Sequence, residues 1–359
     1  MRAFLRLIIA IIFIASGFVK AVDVRGFSFK LEEYFSPGVF NMPFLESLAL
    51  PLAIFVVALE IILGLLLLFK IRLRSTLLAL IALCVFFGFL TFYSAYFDKV
   101  TDCGCFGDAI KFTPWQSFIK DLVILLALLI LYWLFKRSGF EQQKITGKFS
   151  WIGLFLLSLI FFGIMIYGLK QEPMIDFRDY KIGTDMNAER RKIEQNPSDY
   201  KTFYILKNKD TGAEKKVDQD AYVNDKALWE EGTPWEIQSD KTTSELVKQG
   251  YQSEIIKFRI EDSQGNDVAA QILAAPEAVL LFSYEPAKLS AEELSKAEKS
   301  VAGNRNVYGI STAKGTFKTI PNLTMDKTAM KTIARSNPFV VVLKNGKIVD
   351  KYPAKNYYN

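Results

Sequence analysis

Five apolar runs in the first 170 residues leave this chain few ways to fold. They span roughly 4–22, 50–69, 75–97, 118–135 and 150–169. A bilayer core about 30 Å thick is crossed by about 20 residues of helix. In lipid every backbone polar group must be satisfied within the segment, so such runs predict helices. The first run follows Arg2 and Arg6 and so starts like a secretory leader. It continues through Ser16-Gly17-Phe18-Val19-Lys20 without a small-x-small exit, and it reads as a retained span. After residue 170 the composition turns to that of a charged soluble protein. The expected fold is therefore an α-helical membrane bundle of five transmembrane helices, followed by a soluble α/β region.

Charge sets the expected orientation. Arg2 and Arg6, then Lys70, Arg72 and Arg74, then Lys136, Arg137, Lys144 and Lys148 all fall on one side of a five-span topology. By the positive-inside rule that side is cytoplasmic. In a bacterium this places the amino terminus in the cytoplasm, the bundle in the inner membrane, and everything after residue 170 in the periplasm. The net charge of +6 lies largely beside the spans, and there is no basic-aromatic groove or recognition motif. Nucleic acid is not an expected partner.

The loop between the third and fourth spans reads Asp102-Cys103-Gly104-Cys105-Phe106-Gly107-Asp108. The only other cysteine is Cys84, and the chain has no histidine. Cys-His and Ser-His catalytic pairs are thereby excluded, as are histidine metal sites, and three thiols are too few for a four-thiolate zinc site. Gly104 gives the permissive backbone that a bridge between Cys103 and Cys105 would need. A small strained ring is an oxidising one. The flanking Asp102 and Asp108 would raise the thiol pKa unless a cation such as Lys99 or Lys111 compensates. Three readings stand: a redox pair, a fixed structural bridge, and two thiolates sharing a metal with a partner. After the loop, Thr113-Pro114 predicts a helix start with Thr113 as N-cap.

Ionisable residues at membrane depth are functional candidates by default. Glu60 lies midway along the second span, either as a proton-handling or quinone-contacting carboxylate or as a neutral or hydrogen-bonded packing residue. Lys20 and Asp23 read as an interfacial pair, and Cys84 as a small buried hydrophobe.

Residues 171–275 are expected to be β-rich, with Thr202–Leu206 as a strand, turns at Lys207–Gly212 and Asp262–Asn266, and Trp229 and Trp235 as core or docking residues. From 276 on, the rhythm is strand (278–283), capped helix from Ser290, strand (307–311), helix (327–334), Asn337-Pro338, then a hairpin turning at Asn345-Gly346. That order resembles a thioredoxin-like fold, with Pro338 in the place of its cis-proline. Where that family carries its thiols, this chain has Ser283-Tyr284-Glu285-Pro286-Ala287-Lys288. The domain thus cannot be a dithiol oxidoreductase, and partner docking is its better reading.

The opening Arg6-Leu7 through Ser16-Gly17-Phe18-Val19-Lys20 and Asp23 resembles the first helix of DoxX-like membrane proteins, and Asp102–Gly107 the matching loop of their MauE branch. The likeness covers about residues 1–137. It implies a four-helix bundle linked to periplasmic redox or disulfide maturation, and in DoxX proteins to a quinone-reducing enzyme. The expected division is a DoxX/MauE-like domain (1–137), a cytoplasmic loop and fifth transmembrane helix (138–170), a β-rich periplasmic region (171–275) and a cysteine-free thioredoxin-like domain (276–359). The expected function is thiol/disulfide or electron-transfer chemistry with a periplasmic partner. Cys103 and Cys105 would be the redox pair, Glu60 the proton carrier and a membrane quinone the candidate acceptor. The rival expectation is a non-enzymatic accessory subunit of an envelope complex.

Overall fold

A computed structural model describes residues 2–97, 99, 107–110, 112–140 and 147–358. It divides into two compact units, one formed by 1–183 with 260–359, the other by 184–259.

Five helices of the first unit are long and apolar enough to cross a membrane: α1 (Arg2–Val22), α3 (Ala49–Leu68), α4 (Leu73–Phe97), α5 (Pro114–Arg137) and α6 (Lys148–Lys170). The expected spans thus form, with ends within four residues of those expected. Between α1 and α3 lies α2 (Val24–Phe35), which no apolar run announces. It is amphipathic, burying Val24, Phe27, Leu31 and Tyr34 on one face, and Asp23 N-caps it by accepting from the Gly26 N–H at 2.8 Å.

Helices α1 and α3 pack together, as do α4 and α5. Small residues set the first approach. A Cβ at Gly17 would stand 2.6 Å from Ile61 Cγ1, and one at Gly64 would stand 2.9 Å from Ile14 Cγ1. Ile9, Phe13, Leu67, Leu77, Leu80, Leu128 and Leu131 fill one end of the bundle core. Arg6 crosses to the far end of α3 and donates to the Leu67 and Leu68 carbonyls, where a helix C-terminus favours a cation. Helix α5 starts as its sequence predicts, with a capping box between Thr113 and Gln116 and Pro114 in the first turn.

The second unit holds α7 (Met186–Gln195), β1 (Asp199–Asn208), β2 (Glu214–Asp218), α8 (Gln219–Asn224), β3 (Trp235–Ile237) and β4 (Thr243–Lys248). Strand β1 pairs antiparallel with β2 on one side and with β3 and β4 on the other. The β1–β2 connection turns where Lys207–Gly212 predicts. The core is small: Leu206, Val217 and Leu228, with Trp235 against them. Trp229 is 46% exposed and donates to the Val223 carbonyl.

The chain then rejoins the first unit through α9 (Ala269–Ala274), β5 (Glu277–Ser283), α10 (Ala291–Val301), β6 (Val307–Ser311), β7 (Asn322–Thr324), α11 (Lys327–Ile333), β8 (Phe339–Lys344) and β9 (Lys347–Pro353). The sheet order is β7-β6-β5-β8-β9, with β5, β6 and β7 parallel and β8 and β9 antiparallel to their neighbours. Strand β5 is buried from Ala278 to Ser283, as an apolar run covered on both faces should be. The β8–β9 turn uses Asn345 and Gly346 at φ 49° and 75°, the positive pair of a tight hairpin. The Asn337–Pro338 peptide bond is cis. Helix α10 carries the capping box expected at Ser290, closed by Glu293. Replacing Ser290 with Ala should cost about 1 kcal/mol, read as a lower denaturant midpoint. Gly309 on β6 faces the ring of Phe317, and a Cβ there would run into it. Gly309→Ala should therefore destabilise the sheet by about 1–3 kcal/mol.

Candidate functional site

Two polar clusters stand out in a molecule otherwise held by apolar packing. The first is inside the bundle. Glu60 of α3 is 3% exposed and Lys20 of α1 is likewise 3% exposed. They form an ion pair with Lys20 Nζ 2.8 Å from Glu60 Oε2 and 3.1 Å from Oε1. The Lys20 ammonium also donates to Ser16 Oγ at 2.8 Å and lies over the rings of Phe27 and Phe87. Helix periodicity explains the arrangement: Ser16 and Lys20 are one turn apart and face α3 together. Lys20 is therefore not the partner of Asp23, as adjacency in sequence suggests. Asp23 follows the last turn of α1 and points elsewhere.

Beside this pair is a second one, on α5. Lys120 Nζ lies 2.7 Å from Asp121 Oδ1, Thr91 Oγ1 donates to Asp121 Oδ2 at 3.1 Å, and the Cys84 thiol donates to the Asp121 carbonyl at 3.3 Å. Cys84 is buried as expected. A cavity of about 30 Å³ separates the two pairs, lined by Ser16, Lys20, Glu60, Cys84, Lys120 and Asp121 among others. That volume suits one or two water molecules. The arrangement can hold charge in a low-dielectric setting, because each carboxylate has a cation beside it and Asp121 also has the Thr91 hydroxyl.

The second cluster lies where the α/β domain meets the bundle. Arg335, in the segment between α11 and Pro338, shares its one Nε–H between both Asp23 oxygens, at 2.9 Å from Oδ1 and 2.8 Å from Oδ2. Its Nη2 reaches Asp108 Oδ2 at 2.7 Å, and its Nη1 donates to the Lys331 carbonyl. Lys331 pairs with Glu32 of α2 at 2.6 Å and stands over the ring of Phe29. Just past α6, Glu172 accepts from the Arg335 and Ser336 backbone N–H groups and from Arg178. Asp176 binds Arg178 at 2.7 Å and Lys351 of β9 at 2.6 Å.

Burial alone would raise the Glu172 and Asp176 pKa values. The charges of Arg178 and Lys351 outweigh it and hold both carboxyls below their ordinary range. Lys351 moves the other way. Burial, then the like charge of Arg178, push its ammonium down to about 8 against the pull of Asp176 and Glu172. The signs follow from linkage. The carboxylates contribute stability that is present above the unfolded carboxyl range and lost as pH falls through their depressed folded values. Lys351 carries a penalty below about pH 8 that is relieved as pH rises toward its unfolded value. Thermal unfolding followed from neutral to acid pH should show the junction failing on the acid side. With Asp176→Asn that acid loss should shrink.

Cys103 and Cys105, together with Asp102 and Lys111, lie outside the described residues. Lys99 is described and exposed. Among the described residues, the cation beside Asp108 is Arg335, which comes from more than 200 positions further along the chain. Asp121 and Lys120 carry the ordinary signal of charge at the head of an apolar run. Arg335 carries no such signal.

Together these elements define a multi-pass membrane protein with an α/β domain seated on one end of its bundle. Residues 1–134 match the family described as "Methylamine utilisation protein MauE". Over 138 residues the chain is 28% identical to "Protein TlpB" of Flavobacterium psychrophilum. That stretch is 38% of this chain and 37% of the relative, so the chain spans well under half the length of the curated relative it matches. No solved structure matches it.

Proposed function

We propose that this protein carries out thiol–disulfide exchange at the periplasmic face of a bacterial inner membrane, with Cys103 and Cys105 as the exchanging pair. Its α/β domain, read as a thioredoxin-like fold without thiols, holds a partner polypeptide over that loop. The observation that carries the reading is the Arg335–Asp108 ion pair. It ties the α/β domain to a residue three positions after Cys105. It also matches the charge of Asp108, which otherwise opposes thiolate formation. The matches to MauE and TlpB support a membrane protein of redox or thiol-related processes.

In the exchange, a client thiolate attacks one sulfur of the Cys103–Cys105 disulfide, and the second client thiolate resolves the mixed disulfide. Two electrons and two protons pass from client to loop, and the reverse sequence reduces a client disulfide. Glu60 with Lys20, and Asp121 with Lys120, are the buried groups that buffer those protons. A membrane quinone is the candidate acceptor for the electrons that the loop takes from its client. The accessory-subunit reading draws on the lack of any cysteine after residue 105.

Single-cysteine variants separate the two. Cys105→Ser and Cys103→Ser should each be tested in cells by acid quenching and non-reducing electrophoresis. One of them should trap a mixed disulfide with a periplasmic protein that reductant releases. If neither variant traps a partner, and the double variant leaves client oxidation normal, the thiol reading fails.

A further inference from the structure

A cavity of about 300 Å³ opens at the junction, bounded by the start of α2 and the end of α6 on one side and by the segments around Tyr284 and Pro338 on the other. Its lining includes Arg25, Lys170, Lys288, Arg335 and Lys355, with Glu285 as the acidic member. The charge does not cancel. Arg335 is committed to Asp23 and Asp108. Glu285 is answered twice, by Lys288 at 3.0 Å and Lys327 at 2.9 Å. Arg25, Lys170 and Lys355 remain. Among the described residues none of the three has a carboxylate within ion-pair distance. Arg25 donates only to a backbone carbonyl, that of Leu169, at 3.2–3.3 Å. The carbonyl end of α6 offsets part of this charge. The three cations nonetheless act on one another: burial, then Arg25 and Lys170, lower the pKa of Lys355. A concave site with surplus positive charge from three separate elements is built for an anion.

We propose that this cavity is a binding site for a phosphate group, held by Arg25, Lys170 and Lys355. Lys170 closes a membrane-crossing helix, and Arg25 follows another by three residues. The cations therefore sit at the depth of lipid headgroups. A phosphodiester of an anionic lipid and free phosphate offer the same oxygens to these donors. Arg25 can present a fork and the lysines point charges.

The test uses the full chain in detergent, apart from any thiol assay, so the Cys103/Cys105 reading can fail without touching it. Retention of phosphatidylglycerol is read by native mass spectrometry, and inorganic phosphate is titrated separately by thermal shift. The variants are Lys170→Gln/Lys355→Gln and Arg25→Gln, with Lys299→Gln/Lys344→Gln as an exposed control. Circular dichroism confirms that each is folded. The site variants should weaken phosphatidylglycerol binding by about tenfold or more while the control does not. A response to inorganic phosphate alone, lost in the same variants, would assign the site to the free ion. Equal binding of both probes by wild type and the double variant, or no saturable binding of either, overturns the proposal.

Discussion

Lys20→Met should destabilise the bundle by about 3–5 kcal/mol, because it strands the Glu60 carboxylate in the bundle interior without its cation. The cost comes from breaking the pair, and it is larger than what the pair contributes when whole. The double variant Lys20→Met/Glu60→Leu should therefore recover most of the loss, since two apolar groups of similar size replace two buried charges. Unfolding of the purified chain in detergent, followed against denaturant, gives the comparison. The same two proteins separate packing from proton handling. If the pair only packs, the double variant exchanges disulfides at the normal rate. If Glu60 carries protons, the double variant is stable and slow.

The second large effect is expected at Arg335. One guanidinium is shared between Asp23 at the head of α2 and Asp108 beside the thiol loop, and it is 5% exposed. Arg335→Met leaves two partly exposed carboxylates without their cation, a loss of about 2–3 kcal/mol in the docking of the α/β domain on the bundle, below the cost of breaking a fully buried pair. Limited proteolysis of membranes should then cut the 171–183 connection many times faster. Arg335→Lys should fall between, since an ammonium keeps the charge but cannot hold Asp23, Asp108 and the Lys331 carbonyl from three separate nitrogens. If both variants resist protease like the parent, the guanidinium is not what holds the domain.

How far sequence carries depends on whether the signal is local. Run length gave the five spans, because lipid forces each to satisfy its own backbone. Local chemistry gave the capping boxes at Thr113 and Ser290 and the turn at Asn345-Gly346. The burial of Glu60 was legible too, since a carboxylate midway along an apolar run has nowhere else to go. Its partner was not. Asp23 lies three residues from Lys20 and looked like its mate, yet Lys20 projects from the α1 face that meets α3, and Asp23 turns to cap α2. Helix α2 leaves no run-length signal, because it is amphipathic and only 12 residues long. Arg335 was beyond reach for another reason. Its partners, Asp23 and Asp108, precede it by 312 and 227 positions, and nothing in a loop arginine encodes a contact at such separation.

The most direct test of the account labels Cys103 and Cys105 from outside. Spheroplasts are treated with a membrane-impermeant maleimide, with and without prior reduction, and the peptide bearing both residues is weighed. The account predicts labelling that rises after reduction and falls again when cells are challenged with a thiol oxidant, since the pair faces the periplasm and cycles. A pair that never meets the impermeant reagent, or that stays in one oxidation state through both treatments, contradicts it.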